Sequence, residues 1–411
     1  MSRWNQLFRV AALGATIALA ACNSDKDVLG PSTPPGGDIF KSYVALGNSI
    51  TAGYQSGGIN DSTQRQSFAR LLAMQMGTQY HYAALAMPGC PPPIANTATG
   101  ARVAGGSSTT CALRTSASVT DILNNVAVPG ARVLDPVSGT TVASNALTTF
   151  VLGGKSQVQR ALDARPTFAT IWIGNNDVLE AGASGILVPV AGISPGIVST
   201  EAQFETSYNA MIDQLTAGAP GIKGVLIGVV QVAGIPLLQS GALVFANQVA
   251  VGQVFLQATG KAVTVNANCN GSSSLVSLPQ LISVIRAGTH PPTISCVKGS
   301  DPTNPLVGDL FVLDAAEQQT LGTTIAGYNA YIKSKADAIG FAYYDPNVLL
   351  AAKKASGEIP PFPDFKSTNQ TFGPFISLDG VHPSGAAHMV IANELITTIN
   401  AKYGTSLKPV Q

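Results

Sequence analysis

Short apolar runs that stop at glycine or at Pro-Gly recur along this chain, with helix-patterned stretches between them. That alternation restricts the possible folds more than any other feature. Tyr43–Leu46 breaks at Gly47, and Phe168-Ala-Thr-Ile-Trp-Ile breaks at Gly174. The run from Asn124 stops at Pro129-Gly130, while Tyr80–Ala86, Gly224–Gln231 and Phe341–Tyr344 complete the set. The central runs are continuously hydrophobic, as strands buried on both faces of a parallel sheet must be. Between the runs, helical spacing covers Ser67–Met76, a stretch through Leu162, Glu201–Ala217, Leu313–Ala338 and Ser384–Lys402. In the first of these, Phe68, Leu71, Leu72 and Met76 share one face, and Gly77 ends it.

Strand–helix alternation over this length predicts an α/β fold, a three-layer α/β/α sandwich. Its sheet is mostly parallel and doubly wound, of the flavodoxin type. A chain of 411 residues has room for one large α/β domain or two small ones. No internal repeat and no second core is legible, so residues 42–405 read as a single domain. Long insertions fall near 91–121 and 232–305, and intervals of that size are normally functional loops or subdomains. Pro91-Pro92-Pro93 cannot be helix or central strand and reads as surface loop. Residues 180–200 read as a Gly/Pro-rich loop, and 132–152 have no clear assignment. Gly153-Gly154-Lys155-Ser156 lacks the earlier glycine of a phosphate loop, Thr149 standing in its place, so that reading is rejected.

The N-terminus predicts export. Arg3 and Arg9 precede the apolar run Val10–Leu19, which is too short to span a bilayer and ends in Leu19-Ala20-Ala21-Cys22. This ending resembles the lipobox of bacterial lipoproteins, which implies a signal peptide over 1–22 and lipidation of Cys22. In that class Asn23, instead of an aspartate, points to the outer membrane, facing the periplasm or the cell surface. Residues 23–41 are rich in Pro, Gly and Ser and read as a flexible tether. Setting Cys22 aside leaves Cys90, Cys111, Cys269 and Cys296, an even set that suits an oxidising compartment. Neighbours in sequence suggest Cys90–Cys111 and Cys269–Cys296, although four cysteines allow three connectivities. None shows the close spacing of a zinc site.

Two stretches carry chemistry. The first strand delivers Ser49 to the sheet's carboxyl edge, where open α/β sheets bind ligands. More than three hundred residues later comes Ser377-Leu378-Asp379-Gly380-Val381-His382-Pro383-Ser384. Asp379 and His382, three apart in a turn before a helix, can face each other. The carboxylate then accepts from one imidazole nitrogen and leaves the other as base for a serine. His81, His290 and His388 show no metal spacing, and the chemistry needs no cofactor. Asp177 reads as structural, either a brace for the loop that aims Asn176 or a cap for the following helix.

Taken in order, Gly-Asn-Ser-Ile, Asn-x-Ala-x-x-Gly-Ala, Gly-x-Asn-Asp and Asp-x-x-His-Pro resemble the blocks of the SGNH (GDSL-type) hydrolase superfamily. The resemblance spans about residues 43 to 400. It implies Ser49 as nucleophile, His382 as general base and Asp379 as its orienter. It also implies an oxyanion hole made of the Ser49 and Gly130 backbone N–H groups and the Asn176 side-chain amide. Asn48 departs from the family's usual aspartate, and Gly89 in Met-Pro-Gly-Cys competes with Gly130 for the oxyanion role.

The expectation is therefore an exported, lipid-anchored serine ester hydrolase, monomeric, working through an acyl-serine intermediate on a small-molecule, lipid or glycan ester. Acyl transfer on the same residues, or a catalytically silent surface-binding lipoprotein, are the alternatives. The net charge is +1 and no basic patch stands out, which argues against a nucleic-acid partner.

Overall fold

A computed structural model of the protein describes residues 37–97, 99–113, 122–138, 146–187, 199–298 and 311–411. The signal peptide, Cys22 and most of the tether lie outside these residues. Among the described residues, no helix is long and apolar enough to cross a membrane.

The architecture is the three-layer α/β/α sandwich. Four parallel strands form the central sheet, β1 (Tyr43–Gly47), β2 (Phe168–Trp172), β3 (Lys223–Ile227) and β4 (Ala342–Tyr344), in the order β1-β2-β3-β4. Their alternate residues feed two cores. Tyr43, Ala45, Phe168, Trp172, Val225 and Ile227 point to one face. There they pack on α2 (Phe68–Met76), which follows α1 (Ser49–Ala52), and on the last helix, α7 (Gly385–Tyr403). Val44, Leu46, Ala169, Ile171 and Leu226 point to the other face. That face is covered by α3 (Gln157–Asp163), α4 (Asn176–Ser184), α5 (Glu201–Gly218) and α6 (Ala315–Ile339). Burial of both faces is why these strands lack polar alternation.

Beyond β1 the sheet frays. Asn125 bridges Ala45, and Tyr82 bridges Asn125, both in parallel sense. Tyr80–Ala86, expected as a strand, makes one such bridge, while Asn124–Val128 pairs with β1 through three backbone bonds, from Ala45 N–H to Asn124, Val126 N–H to Ala45 and Val128 N–H to Gly47. Side-chain amides replace part of the ladder: Asn124 Nδ2 donates to the Tyr43 carbonyl at 2.8 Å, and Asn125 Nδ2 donates to Thr51 at 2.9 Å. The chain thus runs outward from β1 and returns to β2, which puts the switch point of the sheet at β1's carboxyl end.

Three further expectations need correction. Residues 180–200 begin as helix, since α4 continues to Ser184, where Gly182 fits under Val232 and Leu321. Pro92 and Pro93 are buried instead of exposed, because their segment packs against the glycine turn at Gly57-Gly58. The 232–305 insertion also has a core of its own, with Val244, Val251, Phe255, Val276, Leu281 and Ile285 around the Cys269–Cys296 disulfide. It contains helices at Gly241–Ala246, Gln248–Thr259 and Leu278–Ala287.

One contact locks β1 in place. Gln157, fully buried on α3, accepts from the Gly47 N–H at 3.0 Å and donates to the Gly47 carbonyl at 3.1 Å. Gly47 itself has no room for a side chain, because a Cβ there would lie 2.5 Å from the Trp172 carbonyl. Gln157→Ala leaves a buried N–H unpartnered and should cost about 1–3 kcal/mol. Urea unfolding measures it, and an unchanged midpoint would contradict the clamp.

Candidate active site

Ser49 follows β1 directly and opens α1. Asn48 caps that helix, its Oδ1 accepting from the Ile50 N–H at 3.1 Å. Asparagine therefore performs the loop hydrogen bond for which an aspartate would otherwise serve, although its buried Nδ2 has no partner among the described residues. As the first helical residue, Ser49 has a backbone N–H with no intrahelical acceptor.

The late turn closes on this serine. Residues 376–383 form a tight hairpin: the Ser377 N–H donates to the His382 carbonyl at 2.8 Å, and Ile376 bridges Pro383. His382 Nε2 lies 2.8 Å from Ser49 Oγ, and His382 Nδ1 lies 2.7 Å from Asp379 Oδ2. The Tyr54 ring packs on the imidazole with centroids 4.9 Å apart. Burial raises the Tyr54 phenol to about 12, with the Asp379 charge adding to the effect, so it stays neutral there.

Asp379 sits in a cage of donors. Its Oδ1 accepts from the Val381 N–H, the His382 N–H and the Ser377 hydroxyl. Its Oδ2 accepts from the Gly57 N–H at 2.6 Å as well as facing His382. Burial alone would raise this carboxyl, but the His382 charge and the hydrogen bonds of His382 and Val381 outweigh it and hold it at about 2. The loop that supplies Gly57 is itself clamped. Arg102 Nη1 donates to the Gly57 and Pro92 carbonyls, and Ser56 exchanges hydrogen bonds with Ser377 and Leu378. Sequence reading gave no hint of Gly57, Ser56, Tyr54 or Arg102 at the site, since they lie in a polar loop with no fixed spacing to the histidine.

Asn176 is tied to the segment that carries Gly130. Val126 and Val128 donate to the carbonyls of Ala45 and Gly47, which carries Gly130 two residues past the end of β1. Asn176 Nδ2 donates to Ala131 at 2.9 Å, and the Asp177 carboxylate accepts from the Val133 N–H at 2.9 Å and from the Ser199 hydroxyl. Burial pushes Asp177 up to about 6, only partly offset by those bonds and by Arg132. Gly89 is held elsewhere, pressed against Ile59 and Asn60. Of the two competing glycines, Gly130 is the one whose neighbour, Ala131, is bonded to Asn176. Ser49, Asn175, Asn176 and His382 line one cavity of about 40 Å³.

The remaining predicted residues lie away from the serine. Cys90–Cys111 and Cys269–Cys296 are disulfides in the suggested pairing. His388 is fully buried on α7, where its Nδ1 accepts from the Phe68 N–H at 3.2 Å. Burial, with the His382 charge adding, pushes it down to about 3, so it is a neutral tie between α7 and α2.

Because the folded pKa of Asp379 is depressed, its contribution to stability is complete above about pH 4 and disappears as pH falls toward 2. A drop from 3.8 to about 2 corresponds to about 2 kcal/mol. Wild type should therefore lose that much more stability than Asp379→Asn between pH 4 and pH 2, read by urea unfolding at each pH. Parallel curves for the two proteins would contradict the cage.

A family model described as GDSL-like lipase/acylhydrolase matches residues 43–395 of this chain. No curated protein sequence matches it. Among solved structures, a carbohydrate esterase family 2 enzyme with a carbohydrate-binding domain from Corynascus thermopiles is 12% identical with a TM-score of 0.38, covering 89% of this chain and 67% of that one. A catalytic mutant of an acetylxylan esterase from Geobacillus stearothermophilus is 11% identical with a TM-score of 0.37, covering 90% of this chain and 97% of that one. An extracellular lipase from Streptomyces rimosus is 14% identical with a TM-score of 0.33, covering 87% and 99%. With β1, the Asn176 loop and the late hairpin all inside the matched span, the chain belongs to the GDSL-like lipase/acylhydrolase family.

Proposed function

We propose that this protein is an exported, lipid-anchored serine ester hydrolase that works through an acyl-serine intermediate. The observation that carries the reading is the continuous relay Ser49 Oγ–His382 Nε2, His382 Nδ1–Asp379 Oδ2, at 2.8 and 2.7 Å. In it Ser49 Oγ attacks the ester carbonyl carbon while its proton passes to His382 Nε2. Asp379 holds the imidazole in the tautomer that leaves Nε2 free to accept, and its ionised carboxylate stabilises the imidazolium that forms. Charge that builds on the carbonyl oxygen is met by the N–H groups of Ser49 and Gly130 and by the Asn176 amide, whose second hydrogen is free of the bond to Ala131. Collapse of the tetrahedral species expels the alkoxide, which takes the proton from His382 and departs as the alcohol. Water then adds to the acyl carbon by the same route, giving the free acid and restoring Ser49.

Export rests on the charged, apolar and small-residue succession that ends at Cys22, and the anchor rests on the lipobox likeness of Leu19–Cys22. Residues 23–41 then act as the tether between the outer membrane and a hydrolase domain over 42–405.

Ser49→Ala should abolish both p-nitrophenyl ester turnover and labelling by a fluorophosphonate. A variant that still takes the label would remove Ser49 as nucleophile. In the same cells, Cys22→Ser should move the labelled protein out of the membrane fraction, and unchanged membrane association would refute the lipid anchor.

A further inference from the structure

We propose that the acyl group is restricted to about two to four carbons, because the wall of the pocket beside Ser49 is fixed in place by three asparagines outside every sequence block that carries the chemistry or, for Asn175, at its variable position. This rests on the ester-hydrolase reading and names the substrate class within it. The cavity touching Ser49, Asn176 and His382 measures about 40 Å³. A site needs roughly 10–15 Å³ on this measure to hold one water-sized group, so about three such groups fit. Apolar side chains form its wall: Leu179 from α4, Val230, Val232 and Ile235 from the segment after β3, and Val381 from the hairpin. An acyl carbon bonded to Ser49, with its oxygen toward Asn176, turns its substituent into this space. The leaving alcohol must instead reach solvent from the side of His382.

The wall cannot easily withdraw. Asn329 accepts from the Val229 N–H at 2.6 Å and donates back to the Val229 carbonyl at 2.9 Å. Asn175 accepts from the Val230 N–H at 2.9 Å, and Asn347 accepts from the Gln231 N–H at 2.7 Å. Three successive backbone donors are therefore held by three side chains from α4's cap, α6 and the helix after β4. Val232 is seated on Gly182 of α4, where a Cβ would come within 2.5 Å of its methyl group. A larger cleft of about 550 Å³ exists between the disulfide-closed loop and the insertion. It meets the hairpin at Leu378 and Asp379, and neither Ser49 nor His382 lines it, so it does not lengthen the acyl pocket.

The test is kcat/KM for p-nitrophenyl acetate, butyrate and octanoate, which share one leaving group. Wild type should use octanoate at least about 100-fold less well than acetate, because added methylenes meet a fixed wall. Leu179→Ala and Val230→Ala, whose side chains are only half-buried, should each narrow that gap by about tenfold or more, with the urea unfolding midpoint of each variant reporting an intact fold. Equal use of octanoate and acetate by wild type, or an unchanged ratio in both variants, overturns the proposal. A protein that takes the fluorophosphonate label yet prefers long chains refutes the acyl limit alone. Absence of both label and turnover refutes the hydrolase reading, and the acyl limit falls with it.

Discussion

A carboxylate buried beside a histidine can remain charged only if donors surround it, and at Asp379 those donors come from two distant parts of the chain. The hairpin supplies its own N–H groups and the Ser377 hydroxyl, while Gly57 reaches across from the loop after Ser49. Satisfying this one group therefore fixes the distance between the serine-bearing loop and the histidine-bearing hairpin. The energetic stake is the asymmetry of hydrogen bonding inside a protein, where a lost partner costs more than a made bond returns. Arg102 and the segment closed by Cys90–Cys111 sit behind Gly57, so a loop far from the reacting atoms helps to hold the relay.

The sheet does the same work from below. A parallel sheet places the ends of β1, β2 and β3 at one edge, and each end hands over a different component. β1 gives Ser49, β2 gives Asn176 through the turn at Gly174, and β3 gives the valines that wall the cavity. Asparagine side chains recur where regular pairing stops. Asn124 and Asn125 stitch the frayed side of β1, and Asn329 and Asn347 stitch the segment after β3. A neutral amide both donates and accepts, so it can replace a missing strand partner without placing a charge near the serine.

The central sheet was legible because burial on both faces leaves a strong trace, an apolar run ended by glycine, as at Tyr43–Gly47 and Phe168–Gly174. Ser49, Asp379 and His382 were legible because the relay dictates residue type and, for the last two, spacing. Other parts were not. Tyr80–Ala86 has strand-like composition, yet its hydrogen bonds go to side chains such as Gln64 and Asn124, a pairing that propensity cannot foresee. The second core around Cys269–Cys296 was hidden because its helices are short and separated by turns and two- or three-residue strands. Gln157, Gly57, Arg102 and Asn329 act through contacts across one hundred or more residues, or through a loop whose shape the disulfide sets. No local pattern reports such pairings. The long reach between residues 49 and 382 was visible only through the chemistry both ends share.

The most direct measurement is a crystal structure of the protein inactivated by a small alkyl fluorophosphonate, whose phosphorus mimics the tetrahedral acyl carbon. Phosphorus should be bonded to Ser49 Oγ. One phosphoryl oxygen should lie about 2.7–3.1 Å from the Ser49 N–H nitrogen, the Gly130 N–H nitrogen and Asn176 Nδ2 together. A phosphoryl oxygen turned away from Gly130 and Asn176, or phosphorus attached to any other residue, would contradict it.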